Sequence, residues 1–152
     1  MESNTNKGWI KELFRYPEKK MPGVKESKVI VEKSMGILGD HHADGGERQI
    51  SLVAVFEKEW MERQELKGFC FKKYKENILL DGIDLRKCHS GNLLKCGDAV
   101  LELTGEIKSC YPELCKLAEY KENCILAGSC RFAKVKVSGV IEAGMSVEIV
   151  SE

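Results

Sequence analysis

Two groups of residues in this chain are of types and spacings that could carry chemistry. The first is a set of thiols, Cys110, Cys115, Cys124 and Cys130, in the C-terminal third. A short helix predicted from Pro112 to Tyr120 has proline at its first position and Ser109 or Cys110 as cap. The Cys110 thiol would then sit at the positive end of the helix dipole, where the thiolate is stabilised and its pKa lowered. Cys115 follows about a turn later and could face the same cavity. A low-pKa thiol there suits sulfur transfer, persulfide formation or ligation of a soft metal. Two plainer readings stand beside it. The spacing C-x4-C-x8-C-x5-C offers four zinc ligands, though without the tight pairs of zinc knuckles. Buried thiols can also be inert filler, which is how Cys88 and Cys96, set among apolar neighbours, read.

The second group is the run Gly39-Asp40-His41-His42-Ala43-Asp44-Gly45-Gly46-Glu47-Arg48-Gln49. Its glycines allow backbone N–H groups to approach an anion, and Arg48 presents a planar fork to phosphate or carboxylate. It is neither a Walker A loop nor a dinucleotide fingerprint. A solvated hairpin loop is the bland alternative. Adjacent side chains in an extended chain point apart, so His41 and His42 do not suit joint metal ligation. Glu76-Asn77, ahead of an apolar run, reads equally as a turn or a ligand contact, and Glu57-Lys58-Glu59 reads most simply as a solvated helix face. No Ser-His-Asp order or nucleophile elbow supports hydrolysis.

These groups need a scaffold, and most of the chain reads as short strands: Lys28 to Glu32, Gln49 to Val53, Ala99 to Thr104, Phe132 to Val137 and Ser146 to Val150. Besides Pro112 to Tyr120, one further helix is predicted, from Val55 to Leu66. Many strands with few helices predict a mainly β protein, a closed or nearly closed β-barrel, since closure removes exposed edges. The 152 residues fit one domain. The 24 Lys and Arg balance 24 Asp and Glu without a basic block, which argues against a nucleic-acid partner. No apolar stretch approaches the roughly 18 residues of a membrane span, and the start is polar, so neither a membrane nor a signal peptide is expected. Seven cysteines, an odd number, fit a cytoplasmic protein with at least one free thiol.

In order along the chain, Gly39-Asp40, Arg48-Gln49, Glu76-Asn77-Ile78, Gly82-Ile83-Asp84-Leu85, Gly97-Asp98-Ala99-Val100-Leu101-Glu102-Leu103-Thr104 and Cys110 resemble the MOSC domain, the C-terminal domain of molybdenum cofactor sulfurases. The resemblance runs from about Val24 to Val150, and ordered agreement of several motifs is more specific than any one of them. It places a MOSC domain at 24–152, with residues 1–23 as a segment packed on or leading into the barrel.

The resemblance implies binding of the molybdenum cofactor or a related molybdopterin, with a cysteine that carries sulfur or ligates molybdenum. Carried over by position, Arg48 with Asp40, His42 and Gln49 would hold the anionic pterin phosphate, Asn77 would shape the pocket, and Cys110 or Cys115 would be the reactive thiol and the molybdenum ligand. The interval from Cys110 to Cys115 is longer than the family's usual spacing, so either thiol fits. Gly128-Ser129-Cys130 stands where short relatives tend to have an acidic residue and glycine, and Met145 replaces the usual Asp of the final turn. Full sulfurases also carry a pyridoxal phosphate-binding desulfurase domain, for which 152 residues leave no room. A separate cysteine desulfurase and an acceptor molybdoenzyme are therefore the implied partners. The alternatives are a carrier or chaperone without turnover, and a cysteine-ligated molybdenum oxidoreductase component.

Overall fold

The computed structural model describes residues 7–18, 23–41, 46, 49–56, 58–59, 76–107 and 131–150. Among these residues eleven strands follow in order: β1 (Lys7–Arg15), β2 (Val24–Glu26), β3 (Lys28–Glu32), β4 (Gly36–Ile37), β5 (Ile50–Ala54), β6 (Ile78–Asp81), β7 (Leu93–Cys96), β8 (Ala99–Ile107), β9 (Arg131–Val137), β10 (Gly139–Glu142) and β11 (Ser146–Val150). Seven of them close a barrel in the order β11-β7-β8-β9-β5-β6-β1, with β1 pairing back onto β11. Closure leaves no unpaired edge among those strands. β2 hangs from the end of β1, and β10, β3 and β4 form a separate three-stranded sheet.

The five strands expected from the sequence are all present, at the same bounds or within a few residues. Residues 7–15, expected to pack on or lead into the barrel, are a strand of the barrel itself, paired with β6, β11 and β2. A register shift between Ile10 and Glu12 explains how β1 keeps its apolar residues inside. Ile10 and Leu13 are an odd number of positions apart, yet both are buried in the core, because the bulge absorbs one residue.

The interior is filled by alternate residues of every barrel strand, including Ile50, Leu52 and Ala54 of β5, Ile78 and Leu80 of β6, Leu101 and Leu103 of β8, and Ala133 and Val135 of β9. Of the adjacent barrel pairs, β5 and β6 alone are parallel. All five residues of β5 are buried. Ser51 and Val53 alternate with the core positions, so they face outward and are nonetheless covered. Gly8 lies in β1 where a Cβ would overlap the carbonyl oxygen of Asp81, so only glycine allows β1 and β6 to approach this closely.

Val55, Phe56, Lys58 and Glu59 are helical, at the start of the expected Val55–Leu66 helix. The rest of that helix and the predicted helix from Pro112 to Tyr120 lie outside the described residues. Among the described residues, no helix is long and apolar enough to cross a membrane.

Candidate functional site

The residues singled out from the sequence begin to converge on the outer face of β5 and β6. Asp40 follows β4 through a turn in which Gly39 has φ +86°, a left-handed conformation that favours glycine. The turn brings the Asp40 carboxylate under the end of β1, where Oδ1 accepts the Tyr16 backbone N–H at 2.8 Å and an Asn77 Nδ2 hydrogen at 3.1 Å. The His41 N–H in turn donates to the Tyr16 carbonyl at 2.8 Å.

Asn77 is the centre of this network and is 1% exposed. Its Oδ1 accepts from the Ser51 N–H at 2.9 Å and the Ser51 hydroxyl at 3.2 Å. Its Nδ2 reaches the Phe14 carbonyl at 3.1 Å as well as Asp40. One amide side chain thereby joins β1, the turn after β4, β5 and the entry to β6. Every polar atom of the side chain is engaged, as burial demands.

Gln49 closes the other end of the same loop. It is buried, and its Oε1 accepts the Val135 N–H of β9 at 2.9 Å. The run from Gly39 to Gln49 is thus pinned at both ends by buried polar side chains. Asp40 and Asn77 are brought together, while Gln49 is held separately on β9. These contacts hold backbone in place. His42 and Arg48, between the two anchors, lie outside the described residues, as do Cys110, Cys115, Cys124 and Cys130.

A neighbouring cluster was not foreseen. Glu76 is 3% exposed and pairs with Lys58, whose ammonium also lies 5.4 Å from the centroid of the Phe14 ring. Lys58 is therefore not part of a merely solvated helix face, because one flank of that short helix turns onto the barrel. The Tyr16 hydroxyl donates to the Glu76 carbonyl at 3.0 Å. Burial, and then the negative charges of Glu76 and Asp40, push the Tyr16 phenol well above its ordinary range. Nothing local in the sequence signals the Lys58–Glu76 pair, whose members are 18 positions apart in the chain.

The strand register relates this network to the start of the cysteine-bearing segment. Ser51 is opposite Phe132, while Leu52, Arg131 and Ile107 form one row across β5, β9 and β8. Two interstrand spacings, about 10 Å, separate Leu52 from Ile107. The chain then leaves β8 towards Cys110.

Cys88 and Cys96 are buried free thiols, as their surroundings in the sequence indicated. Burial alone pushes the Cys96 thiol up to about 12. Cys88 is also raised by burial, with Arg131 opposing and Asp84 adding to the shift. Among the described residues no cluster of three or more His, Cys, Asp or Glu could hold a metal ion.

No family model matches the chain, and no curated protein matches its sequence. Solved structures do resemble it. YuaD from Bacillus subtilis superposes with a TM-score of 0.70 at 19% identity, over 96% of this chain and 97% of that one. YiiM from Geobacillus stearothermophilus gives 0.64 at 20% identity, over 95% of this chain and 75% of that one. YiiM from Escherichia coli gives 0.62 at 16% identity, over 95% and 70%. YuaD and YiiM are MOSC-domain proteins with a barrel fold. The chain has a MOSC-like fold. At these identities the likeness is one of fold, and it supports the motif resemblance at that level.

Proposed function

We propose that this MOSC-like barrel binds the molybdenum cofactor or a related molybdopterin and acts in sulfur transfer or cofactor delivery. The observation that carries the reading is the register row Leu52–Arg131–Ile107. The loop's last residue, Gln49, comes three residues before Leu52 on the way into β5, and Ile107, about 10 Å across the row, comes three residues before Cys110. The C-terminal anchor of the loop and the strand that leads to the thiols thus belong to one wall of the barrel, β5-β9-β8.

In this reading the described residues serve as scaffold. Asp40, Asn77 and Gln49 present the loop, and their engaged polar atoms fit that role. Two carboxylates, Asp40 and Glu76, border the network, so the positive charge for an anionic pterin must come from the loop, with Arg48 as its guanidinium and His42 beside it. When bound, the cofactor supplies molybdenum and the position that accepts sulfur. The chain's own step is thiol exchange: the thiolate of Cys110 or Cys115 attacks the terminal sulfur of a donor persulfide. The donor leaves as its thiolate, and the neutral sulfur stays on this chain as a cysteine persulfide. A separate cysteine desulfurase would be the donor, a molybdoenzyme the acceptor, and the cytoplasm the setting.

The test is persulfide labelling of the intact protein after incubation with a persulfide donor, in wild type, Cys110→Ser and Cys115→Ser. One of the two variants should lose the label while Cys88 and Cys96, both buried, stay unlabelled. If both variants label like wild type, the sulfur-carrier role is wrong. Molybdenum and pterin content of freshly purified protein tests cofactor binding separately, and Arg48→Ala should lower the pterin retained.

A further inference from the structure

Arg131 opens β9 and is only 8% exposed. It shares the parity of Ala133 and Val135, which fill the core, so it projects to the inner side of the barrel at one end. Its Nη1 donates to two backbone carbonyls, Leu85 at 3.1 Å and Cys88 at 2.7 Å. These belong to the 3-10 turn Leu85–Lys87 and the residue after it. The Nε hydrogen is buried without a hydrogen-bond partner. Among the described residues, none accepts from Nη2 and no carboxylate forms an ion pair with this guanidinium. The Cys88 thiol beside it is no counter-ion, because burial keeps it protonated.

A buried cation is expensive unless it is paired as well as hydrogen-bonded, and two neutral carbonyls compensate only part of that cost. The donors left over are not scattered. Nε–H and one Nη2–H lie side by side on a single edge of the planar group, the geometry that holds two oxygens of a carboxylate or a phosphate. Nη1, committed to the turn, fixes the orientation of that edge. We infer that the Nε/Nη2 edge of Arg131 is an oxyanion-binding site, one that takes a phosphate or carboxylate group at the barrel end where the chain leaves β8.

Its location gives the site a neighbour of interest. The Cα of Arg131 is paired with Ile107, and Cys110 is three residues further along. Covalent geometry keeps Cys110 within about 11 Å of Ile107. A bound oxyanion would thus lie beside the end of β8, the strand that leads to Cys110, whether or not that thiol carries sulfur.

The experiment uses the full-length protein and inorganic phosphate as probe, titrated at constant ionic strength against chloride and followed by calorimetry and melting temperature. Wild type should bind phosphate saturably and melt higher. Arg131→Met should bind at least tenfold more weakly, and Arg131→Lys, which keeps the charge but not the fork, should fall between. Lys95→Ala, which removes an exposed cation on β7, should bind phosphate as wild type does. Phosphate binding that is lost in Arg48→Ala but kept in Arg131→Met would assign the ion to the loop of the proposed function and overturn the inference. Phenyl phosphate and benzoate, run alongside, distinguish an oxyanion carried on a larger ligand from a free ion. If wild type shows no saturable binding beyond the chloride control, or either Arg131 variant binds as tightly as wild type, the inference is overturned. The wild-type and Arg131→Lys arms decide the matter should Arg131→Met fail to fold.

Discussion

Asn77 Nδ2 donates to Asp40 Oδ1 at 3.1 Å, a bond between residues 37 positions apart that ties the entry of β6 to the turn after β4. Neither side chain has capacity to spare at that contact. Asn77 also holds Ser51 and Phe14, and the same Asp40 oxygen holds the Tyr16 N–H. The pair is best understood as the hinge-pin of the loop that starts at Gly39.

Replacing Asn77 by alanine should therefore destabilise the protein by about 3 kcal/mol, since it strands several buried donors and acceptors at once. Urea unfolding of wild type and Asn77→Ala measures the difference. A loss below about 0.5 kcal/mol would mean that the network is not holding the fold.

Gln49→Ala removes the acceptor for the Val135 N–H. A cost of about 2 kcal/mol is expected, because a buried backbone donor is left unmade. The comparison to draw is between stability and retained pterin. As an anchor, Gln49 changes stability first, and pterin retention only as far as the loop loosens. A variant of unaltered stability with abolished retention would instead make Gln49 a direct contact.

Tyr16 predicts an alkaline limit to stability. Its phenol is raised by burial, Glu76 and Asp40, so the folded protein keeps the proton longer than the unfolded chain does. Above the ordinary phenol value of 10.0 the unfolded chain ionises first, and stability falls as pH rises through that value. Cys96, raised from 9.0 to about 12, adds to the same decline from a lower starting pH. Melting temperatures from pH 8 to 10.5 should drop more steeply for wild type than for Tyr16→Phe. The variant itself should be about 1 kcal/mol less stable at neutral pH, having lost the bond to the Glu76 carbonyl. Parallel curves for the two proteins would mean that burial does not hold the proton on the Tyr16 phenol.

The two thiols within the described part of the barrel should be silent. Cys96 is fully buried and Cys88 nearly so, and both are held protonated. Brief iodoacetamide treatment at pH 8 followed by peptide mapping should leave both unmodified in native protein and modify both in urea. Rapid native labelling of either would show that its packing opens readily.

β1 marks where local reading fails. Trp9, Ile10, Leu13 and Phe14 have the spacing of a helical stripe, and the bulge between Ile10 and Glu12 is what converts that spacing into a strand with Ile10 and Leu13 inside. A bulge is imposed by the partner strand, so a single strand's residues do not announce it. β6 is hard to recognise for a related reason. Ile78-Leu79-Leu80 does not alternate, since strands covered on both faces have no polar side to show.

By itself the sequence determined the strand-rich class, the approximate positions of five strands, the burial of Cys88 and Cys96 and the ordered motifs behind the MOSC resemblance. Those are properties of alternation and short-range composition, which lie along the chain. Tertiary structure alone decided that β1 closes the barrel on β11, that Asp40 meets Asn77, that Lys58 reaches Glu76, and that Arg131 sits buried with its Nε unpartnered. Each depends on which strands become neighbours and in what register, and that is fixed by packing between segments far apart in the chain.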